Sequence, residues 1–366
     1  MFVRRIEVSG FRNLSRQVIE LARGINFFSG GNGHGKTNTL EAVHLLATLK
    51  SFRGSSVRDV IAHGGDRAEI SGSLERDGIP IEMGLIIDHK GRRLRVGGHN
   101  VSVVDDYLGR LKVATFTPDD LSMIKGSPSI RRRFMDRSVF LFQPIHLDRV
   151  KKFKAALKSR NRLLRYTGRL DREEIDVFGQ MMAVYGIEVS KARANILKLV
   201  RDTARKIFQR LSDDRSSIDV IFKPGWKMEK HSDATVLEAQ LHEKANTDIR
   251  RGKTSIGPQY DDFEILVEES SARRFASQGQ QRSCAVSLLL AVVEHFILEE
   301  KEKPMIILDD VSSELDKSHR KRLFEKLTEI GAQVLVTATE EDLLAGIADR
   351  IEKSFLVNEG KITPVE

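Results

Sequence analysis

The sequence predicts an α/β fold in which a largely parallel sheet carries an antiparallel β annex and an inserted helical segment. Three observations predict it. Near the N-terminus a strand pattern runs into a glycine-rich loop and then a helix, and near the C-terminus an apolar strand ends in two acids. Between them lies a long basic segment with helical periodicity. Strands that flank an insertion in this way predict one sheet assembled from both ends of the chain.

Composition describes a folded chain with a basic surface. The 366 residues are 40% hydrophobic and 31% charged, and no apolar run has the length of a membrane-spanning helix. The N-terminus lacks the apolar stretch of a signal peptide, so we expect a cytoplasmic protein without membrane association. The single cysteine, Cys284, excludes an intramolecular disulfide, and we expect it to be buried. A formal charge of +8 favours a polyanionic partner.

The first elements follow from alternating apolar residues. Half-buried strands are expected before the glycine loop, the last of them at Ile25–Phe28. A helix follows the loop, because apolar residues recur there at helical spacing. From about Glu69 to Phe116 short strand patterns separated by glycine turns return. This stretch is the expected β annex.

The middle of the chain changes character. From about Ile130 to Leu211 it reads as three long helices, broken at Pro144 and Gly168. Apolar residues of the third helix alternate steps of four and three, which predicts a seam packed lengthwise on a neighbour. The seam residues are Phe178, Met182, Tyr185, Val189, Ala192, Ile196 and Leu199. The segment Ile218–Gly257 is mixed and polar, and we expect it to be the return path of the insertion.

Strand and helix patterns resume in the last third. Strands are expected at Phe263–Val267, Met305–Leu308 and Gln333–Thr337, with a helix from about Ser277 and a final hairpin around Asn358–Gly360. The apolar run at Met305–Leu308 predicts a buried parallel strand.

The glycine-rich loop matches the P-loop pattern and stands between a strand and a helix, as that pattern requires. Its glycines let backbone N–H groups turn toward phosphates. Lys36 is expected to reach the β- and γ-phosphates, and Thr37 to bind Mg²⁺. The candidate ATP-binding residues are Gly30, Gly31, Asn32, Gly33, His34, Gly35, Lys36, Thr37 and Asn38. A plain glycine turn is the alternative.

Two acids follow the strand Met305–Leu308. Asp309 is suited to hold Mg²⁺, and Asp310 to orient or deprotonate an attacking water as a general base. By themselves two aspartates after a strand are more often a loop start or a helix cap. Their pairing with the P-loop favours the catalytic reading.

A second helix start lacks acidic residues. Ser277 is expected to cap a helix whose first turn contains Gly279 and Gln280, which leaves N–H groups for an anion. An ordinary helix start is the alternative. The run Ser277–Arg282 resembles the signature motif of ABC ATPases, and Ser312–Asp316 resembles their D-loop.

In ABC ATPases both motifs cross to the ATP site of a second subunit. The resemblance therefore implies trans contacts from Ser277, Gly279, Gln280 and Asp316. The order of motifs is similar to SMC-type heads, which implies an α/β, ABC-type P-loop ATPase head with an antiparallel β annex and an inserted α-helical arm. Residues 1–120 and 258–366 would form the head, and residues 121–257 the arm.

Further segments resemble the RecF family across nearly the whole chain. They are Gly10-Phe11-Arg12-Asn13, Ser51-Phe52-Arg53-Gly54, Phe116-Thr117-Pro118-Asp119-Asp120-Leu121, Lys125-Gly126-Ser127-Pro128, Arg131-Arg132-Arg133-Phe134-Met135-Asp136 and Leu308-Asp309-Asp310-Val311. One departure is Gln259-Tyr260, where that family usually has His-Arg. No histidine follows Thr337 as a γ-phosphate sensor, so Thr339 is a substitute candidate and slow hydrolysis is expected.

The RecF resemblance implies an ATP-dependent homodimer, with ATP and Mg²⁺, that binds double-stranded, gapped or junction-containing DNA. It would act with RecO and RecR to load RecA at gaps in recombinational repair and at replication forks, as a weak, DNA-stimulated ATPase switch. The DNA-contact candidates are Arg53, Arg131, Arg132, Arg133 and the helix bearing Lys151, Lys152, Lys154, Lys158, Arg160 and Arg162. A solvated basic face is the alternative for all of them. Arg53 could equally meet nucleotide phosphate.

Three other functions stay open at this point. A related clamp could serve mobile-element defence, in which case the protein would not bind RecR. A transporter ATPase subunit would associate with membranes. A P-loop kinase would have no use for the signature and D-loop segments.

Overall fold

The computed structural model describes residues 1–54, 56–166, 172–212, 216–310, 315–338 and 348–365. The strands of this part, in chain order, are β1 (Phe2–Ser9), β2 (Gln17–Glu20), β3 (Ile25–Ser29), β4 (Arg67–Arg76), β5 (Ile79–Asp88), β6 (Gly91–Val96), β7 (His99–Val101), β8 (Val113–Phe116), β9 (Ile218–Lys223), β10 (Asp262–Val267), β11 (Ser270–Ser271), β12 (Met305–Leu308), β13 (Val334–Thr337), β14 (Ile351–Asn358) and β15 (Lys361–Val365). The α-helices of the same part are α1 (Lys36–Thr48), α2 (Pro118–Leu121), α3 (Pro128–Phe142), α4 (His146–Leu164), α5 (Arg172–Leu211), α6 (Ala234–Arg251), α7 (Ala272–Phe275), α8 (Gln278–Glu300) and α9 (Lys317–Ile330).

The described chain divides into two compact units. Unit 1 comprises Met1–Leu121, Arg210–Asp213 and Ala285–Glu366, and unit 2 comprises Ser122–Gln209 and Asp214–Cys284. The α/β class is confirmed, and unit 1 draws its sheets from both ends of the chain. The division into a head and an arm at residues 121 and 257 stays a prediction.

The largest parallel arrangement lies in unit 1, in a six-stranded sheet of order β15-β14-β3-β13-β12-β8. Strands β14, β3, β13, β12 and β8 pair in parallel, and β15 closes the edge antiparallel to β14. Strands β3, β8, β12 and β13 are buried along their whole length, as expected for strands covered on both faces. The carboxyl ends of β3, β13 and β12 meet at one edge.

The annex is a second six-stranded sheet in unit 1, of order β2-β1-β4-β5-β6-β7 and antiparallel throughout. The expected boundary of this annex at Phe116 is wrong. The strand Val113–Phe116 instead pairs in parallel with β12. A four-residue buried strand has no alternation that would assign it to either sheet, which is why the sequence placed it wrongly.

Unit 2 contains the helices α3 to α6 and a three-stranded sheet of order β11-β10-β9. The three long helices between residues 128 and 211 match the expected segments. The buried line of α5 runs through Ile175, Met182, Val189 and Val200. One residue of the expected seam, Leu199, is instead 43% exposed. The buried face of α5 includes Gly179, Gly186 and the charged Arg193, and a pattern of apolar residues does not detect these three.

The return path of the insertion is more regular than expected. It forms β9 and the 18-residue helix α6. Asp233 caps this helix, and its carboxylate accepts from two backbone N–H groups. This helix buries only Leu237, Leu241, Ala245 and Asp248. Because only these four residues are buried, most of the helix is polar and the sequence shows no clear helical periodicity of apolar residues. Leu237 and Leu241 pack in one cluster with Phe153, Met182 and Trp226.

A buried polar network crosses the core of unit 2. Arg193 donates to both oxygens of Asp136, at 2.8 and 3.0 Å, and to Asp261 Oδ2 at 3.1 Å. Ser190 Oγ donates to the same oxygen of Asp261 at 2.7 Å and accepts from Trp226 Nε1 at 3.1 Å. The charges are thus paired and hydrogen-bonded, which is the condition for burying them.

Candidate nucleotide site

The loop after β3 adopts a conformation that needs glycine at several positions. Gly30, Gly33 and Gly35 have φ angles of 144°, 81° and 115°, in the region that residues with a Cβ rarely occupy. A Cβ on Gly30 would also stand 2.2 Å from the carbonyl oxygen of Val357. The sequence therefore folds this segment into a tight curve between β3 and α1.

The charged end of Lys36 lies inside this curve. Its Nζ donates to the carbonyl oxygens of Gly30 at 2.6 Å and Gly31 at 2.9 Å. Burial lowers the pKa of Lys36, and the nearby carboxylates of Asp310 and Asp309 partly oppose this. The ammonium is therefore held by loop carbonyls that a stronger anionic acceptor could replace.

A threonine pair holds the first acid beyond β12. Asp309 Oδ1 accepts hydrogen bonds from Thr37 Oγ1 at 2.8 Å and from Thr337 Oγ1 at 3.0 Å. Burial raises the pKa of Asp309, while these two hydrogen bonds favour its ionised form. Hydroxyl and carboxylate oxygens are the ligands that Mg²⁺ prefers, so Thr37 and Asp309 fit that ion.

The second acid has an unusual backbone. Asp310 has a φ angle of 52°, and its N–H donates to Thr337 Oγ1 at 2.9 Å. Asp310 lines the same cavity as the loop, and this cavity has a volume of about 150 Å³. The lining residues are Gly31, Asn32, Gly33, Gly35, Lys36, Thr37, Asn38, Arg53, Asp310 and Thr337. The sequence-predicted loop and acids are thus brought together.

Arg53 lines this cavity, which fits the nucleotide-phosphate role that the sequence left open beside a DNA contact. Its Nη1 donates to Asn38 Oδ1 at 2.9 Å and lies 3.7 Å from the buried carboxylate of Glu41. Arg12 in turn donates a bidentate pair of hydrogen bonds to the carboxylate of Glu41. Asn13 links the loop to α1, because it donates to the carbonyl of Gly33 and accepts from Asn38.

The signature-like segment lies in unit 2, at the start of α8. Ser277 Oγ accepts from the N–H of Gln280 at 3.2 Å, and Gln280 Oε1 accepts from the N–H of Ser277 at 3.0 Å. This reciprocal pair is a capping box. Ser277 is exposed, and Gly279 lies beside it in the first turn of α8.

The D-loop-like segment is described only at its end. Residues 312–314 lie outside the described residues, as does Thr339. Asp316 caps α9, since its carboxylate accepts from the N–H groups of Ser318 and His319. These bonds hold the pKa of Asp316 well below its usual range.

The basic residues proposed to face DNA divide by exposure. Arg131 is 5% exposed and makes a two-pronged ion pair with Asp262, and Arg160 is 1% exposed and pairs with Asp248 at 2.7 Å. Both stabilise unit 2 and do not reach solvent, so the expectation that they face DNA does not fit their positions. A guanidinium that satisfies a buried carboxylate looks the same in sequence as one on a surface.

The other basic candidates lie at or near the surface. Arg132 is half-buried and donates to the carbonyl of Asp261 at 3.0 Å. Lys151 and Lys154 are exposed on α4, and the exposed Lys152 pairs with Asp148 at 2.7 Å.

The two residues that depart from the RecF pattern bond to their own loop. Gln259 Nε2 donates to the carbonyl of Ile256 at 2.7 Å, and the Tyr260 hydroxyl donates to that of Thr254 at 3.0 Å. The acids that follow are the buried Asp261, which pairs with Arg193, and the half-buried Asp262, which pairs with Arg131. The difference from the family pattern at Gln259 and Tyr260 therefore does not extend to the two acids that pair with the arginines.

Two features are absent from the described residues. In that part of the chain, no group of three or more His, Cys, Asp or Glu side chains could hold a metal ion. Within the same ranges, none of the helices combines the length and apolarity that a bilayer crossing requires.

Sequence reasoning missed two residues of the site. The sequence pattern marks Thr337 only as the end of a strand, although its hydroxyl bonds both acids. Asn13 belongs to a segment that resembles the RecF family, and the pattern assigns it no role. A hydroxyl at the carboxyl end of the strand between β3 and β12 was the available signal, because that edge is where such sheets place their ligands.

Comparison with known proteins places this geometry in a family. The model of the RecF/RecN/SMC N terminal domain matches residues 2–363. The chain is 32% identical to the DNA replication and repair protein RecF of Geotalea daltonii, over 99% of this chain and 100% of that one. It is 31% identical to the RecF protein of Streptococcus suis, over the full length of both.

Solved structures agree. A structure of the recombination mediator protein RecF with ATP, in the RecFOR pathway, has a TM-score of 0.85 and 27% identity, covering 100% of this chain and 98% of that one. An Smc head domain of Pyrococcus furiosus shares the fold at a TM-score of 0.56 and 16% identity, covering 100% and 96%. By its sequence and its fold, the chain belongs to the RecF family.

Proposed function

We propose that this protein binds ATP at the cavity between the glycine loop and the two acids. The observation that carries the proposal is the convergence of Lys36, Thr37, Asp309 and Asp310 at one sheet edge. Phosphate oxygens would replace the loop carbonyls at Lys36 Nζ. The RecF structure described with ATP supports this choice of nucleotide.

Thr37 and Asp309 would hold Mg²⁺, which supplies positive charge beside the β- and γ-phosphates. Asp310 is then the candidate to orient or deprotonate the attacking water. No histidine follows Thr337 in the sequence as a γ-phosphate sensor, which supports slow hydrolysis that resets a switch.

ATP would close a homodimer. In this arrangement the exposed N-terminus of α8, with Ser277, Gly279 and Gln280, faces the phosphates held by the other subunit, and Asp316 lies at the same interface. The capping box supports the proposal, because it fixes the helix start without placing an acid beside the anion.

The closed dimer would bind double-stranded or gapped DNA and, with RecO and RecR, help to load RecA. The family relatives described as DNA replication and repair proteins, and the RecFOR pathway of the solved structures, support this assignment. Lys151, Lys152, Lys154 and Arg132 remain the DNA candidates, and their position on or near the surface of unit 2 supports them. A formal charge of +8 adds long-range attraction.

The first experiment is sedimentation velocity of wild type and Ser277→Arg, with and without ATP and Mg²⁺. We expect ATP to convert wild-type monomer to dimer and to leave Ser277→Arg monomeric, because the larger cation blocks the helix start. Ser212→Arg, a serine outside the signature segment, is the matched control. A wild type that stays monomeric with bound ATP contradicts the clamp.

The second step measures binding of the dimer to gapped duplex at two salt concentrations. Affinity should fall as salt rises, because phosphate contacts release counterions. Binding to purified RecR then separates gap repair from the alternative: a dimer that binds DNA and ignores RecR favours the clamp of mobile-element defence.

A further inference from the structure

The turn between β14 and β15 lies directly against the glycine loop. The N–H of Glu359 donates to His34 Nδ1 at 3.1 Å, and the N–H of Gly360 donates to the carbonyl of His34 at 2.8 Å. The carbonyl of Gly360 accepts from the N–H of Ser15 at 3.0 Å and from Gln17 Nε2 at 2.7 Å. The turn is therefore anchored on one side and holds the loop on the other.

This contact leaves no room for a side chain at Gly360. Glu359 and Gly360 have φ angles of 46° and 79°, in the left-handed region. A Cβ on Gly360 would stand 1.8 Å from the carbonyl oxygen of Asn13. Glycine is thus required here both by conformation and by the approach of the neighbouring backbone.

The opposite edge of the His34 ring lies against the loop itself. A Cβ on Gly31 would stand 2.9 Å from His34 Cδ2 and 3.0 Å from Nε2. The carbonyl of Gly31 accepts from Lys36 Nζ at 2.9 Å. A continuous series of contacts therefore runs from the turn through the imidazole to Gly31 and Lys36.

We propose that His34 is a positioning residue through which the β14–β15 turn sets nucleotide affinity. The inference rests on the proposed binding of ATP at this loop. In this arrangement Nδ1 is the acceptor for the N–H of Glu359, so the ring contributes that nitrogen without a proton. Held on both edges, the ring keeps Gly31 and Lys36 in place before the nucleotide arrives, so less order has to be gained on binding.

Three variants separate the parts of this arrangement. His34→Ala removes both the acceptor and the ring. The dissociation constant for ATP should then rise about tenfold, which corresponds to the net contribution of one well-formed hydrogen bond. His34→Asn places an acceptor oxygen where Nδ1 stands, one bond from Cγ, and should keep most of the affinity. Gly360→Ala displaces the turn and should weaken binding as His34→Ala does.

The measurement is calorimetric titration of each full-length variant with ATP and Mg²⁺, followed by steady-state hydrolysis and a thermal melt. His89→Ala, at an exposed histidine in the turn between β5 and β6, is the matched control. We expect KM to rise in His34→Ala with kcat unchanged. A variant that was merely unstable would lower the active fraction, and hence kcat, instead.

The outcomes are distinct. Equal ATP affinity in wild type and His34→Ala overturns the inference and leaves the proposed function standing. Equal weakness of His34→Asn and His34→Ala also overturns it, because the acceptor would then have no part. If wild type itself binds no ATP, the proposed function fails, and this inference fails with it.

Discussion

The hydroxyl of Thr337 donates to Asp309 Oδ1 across 3.0 Å, which ties together the ends of two neighbouring parallel strands. The same hydroxyl accepts the N–H of Asp310 at 2.9 Å. One uncharged side chain at the end of β13 therefore orients both acids that follow β12. Its donor and acceptor roles are used at once, so a residue of the same shape without a hydroxyl loses both bonds.

The first prediction concerns this hydroxyl. Thr337→Val keeps the side-chain volume and the strand preference but removes the two hydrogen bonds. We expect kcat for ATP hydrolysis to fall about ten- to hundredfold because both acids are released from their positions. The dissociation constant for ATP should change less than kcat. Thr363→Val, in β15, is the control, and equal hydrolysis by Thr337→Val and wild type would contradict the role of the hydroxyl.

The second prediction separates binding from hydrolysis. Lys36→Ala removes the ammonium inside the loop, so calorimetry should detect no ATP binding at concentrations that saturate wild type. Asp310→Asn should bind ATP normally and lose hydrolysis by a factor of about 10² to 10⁴, the range of a general base. Asparagine tolerates the φ angle of 52° at this position, so the backbone is kept.

The same variant tests the switch. Since Asp310→Asn binds ATP without hydrolysing it, its dimer should persist in sedimentation runs in which the wild-type dimer decays. A dimer that decays at the wild-type rate would show that hydrolysis does not reset the assembly.

The third prediction assigns Arg53 to nucleotide or to DNA. Because Arg53 lines the phosphate cavity, Arg53→Ala should weaken ATP binding about tenfold in the absence of DNA, the loss of one charge-assisted contact. Arg58→Ala, at a nearby exposed arginine, is the control. Unchanged ATP affinity together with a shallower salt dependence of DNA binding would assign the residue to DNA instead.

The fourth prediction concerns acid stability. Burial alone would raise the pKa of Asp136, but the charge of Arg193 and hydrogen bonds from His146 and Arg193 hold it well below the usual range. A carboxyl whose pKa is lowered in the folded state contributes stability above its unfolded pKa of about 3.9, and that stability is lost as pH falls below it.

Asp136→Asn should therefore lower the free energy of unfolding at pH 7 by about 1.5 to 3 kcal/mol, since Arg193 loses one of its two ionised partners and keeps Asp261. Its stability should also fall less steeply than that of wild type as the pH falls below about 4, where this carboxyl begins to bind a proton in the unfolded chain. Urea denaturation followed by circular dichroism at pH 7 and at several pH values below about 4 measures this. Asp148→Asn, from the more exposed pair with Lys152, should cost at most about 1 kcal/mol.

Much of the site could be predicted from sequence because its residues act through local backbone geometry. The loop Gly30–Thr37 needs only a strand before it and a helix after it, and both leave periodic patterns. Asp309 and Asp310 follow an apolar run that is recognisable by itself. The strand Met305–Leu308 was placed at its observed bounds for the same reason.

What could not be predicted depends on partners distant in the chain. The burial of Arg131 follows from Asp262, and the seam of α5 accepts the charged Arg193 only because Asp136 and Asp261 meet it. The role of Thr337 depends on which strand lies between β3 and β12. No periodicity within a single segment contains that information.

The chain contains one tryptophan, Trp226, and it lies in the core of unit 2, 5% exposed. Its indole N–H ends the network that runs through Ser190 and Asp261 to Arg193. Emission excited at the red edge of the absorption band therefore comes from this one place. The intensity and wavelength of this fluorescence therefore report on loosening of unit 2 without an added label. Unit 1 contains no tryptophan and does not contribute to this emission.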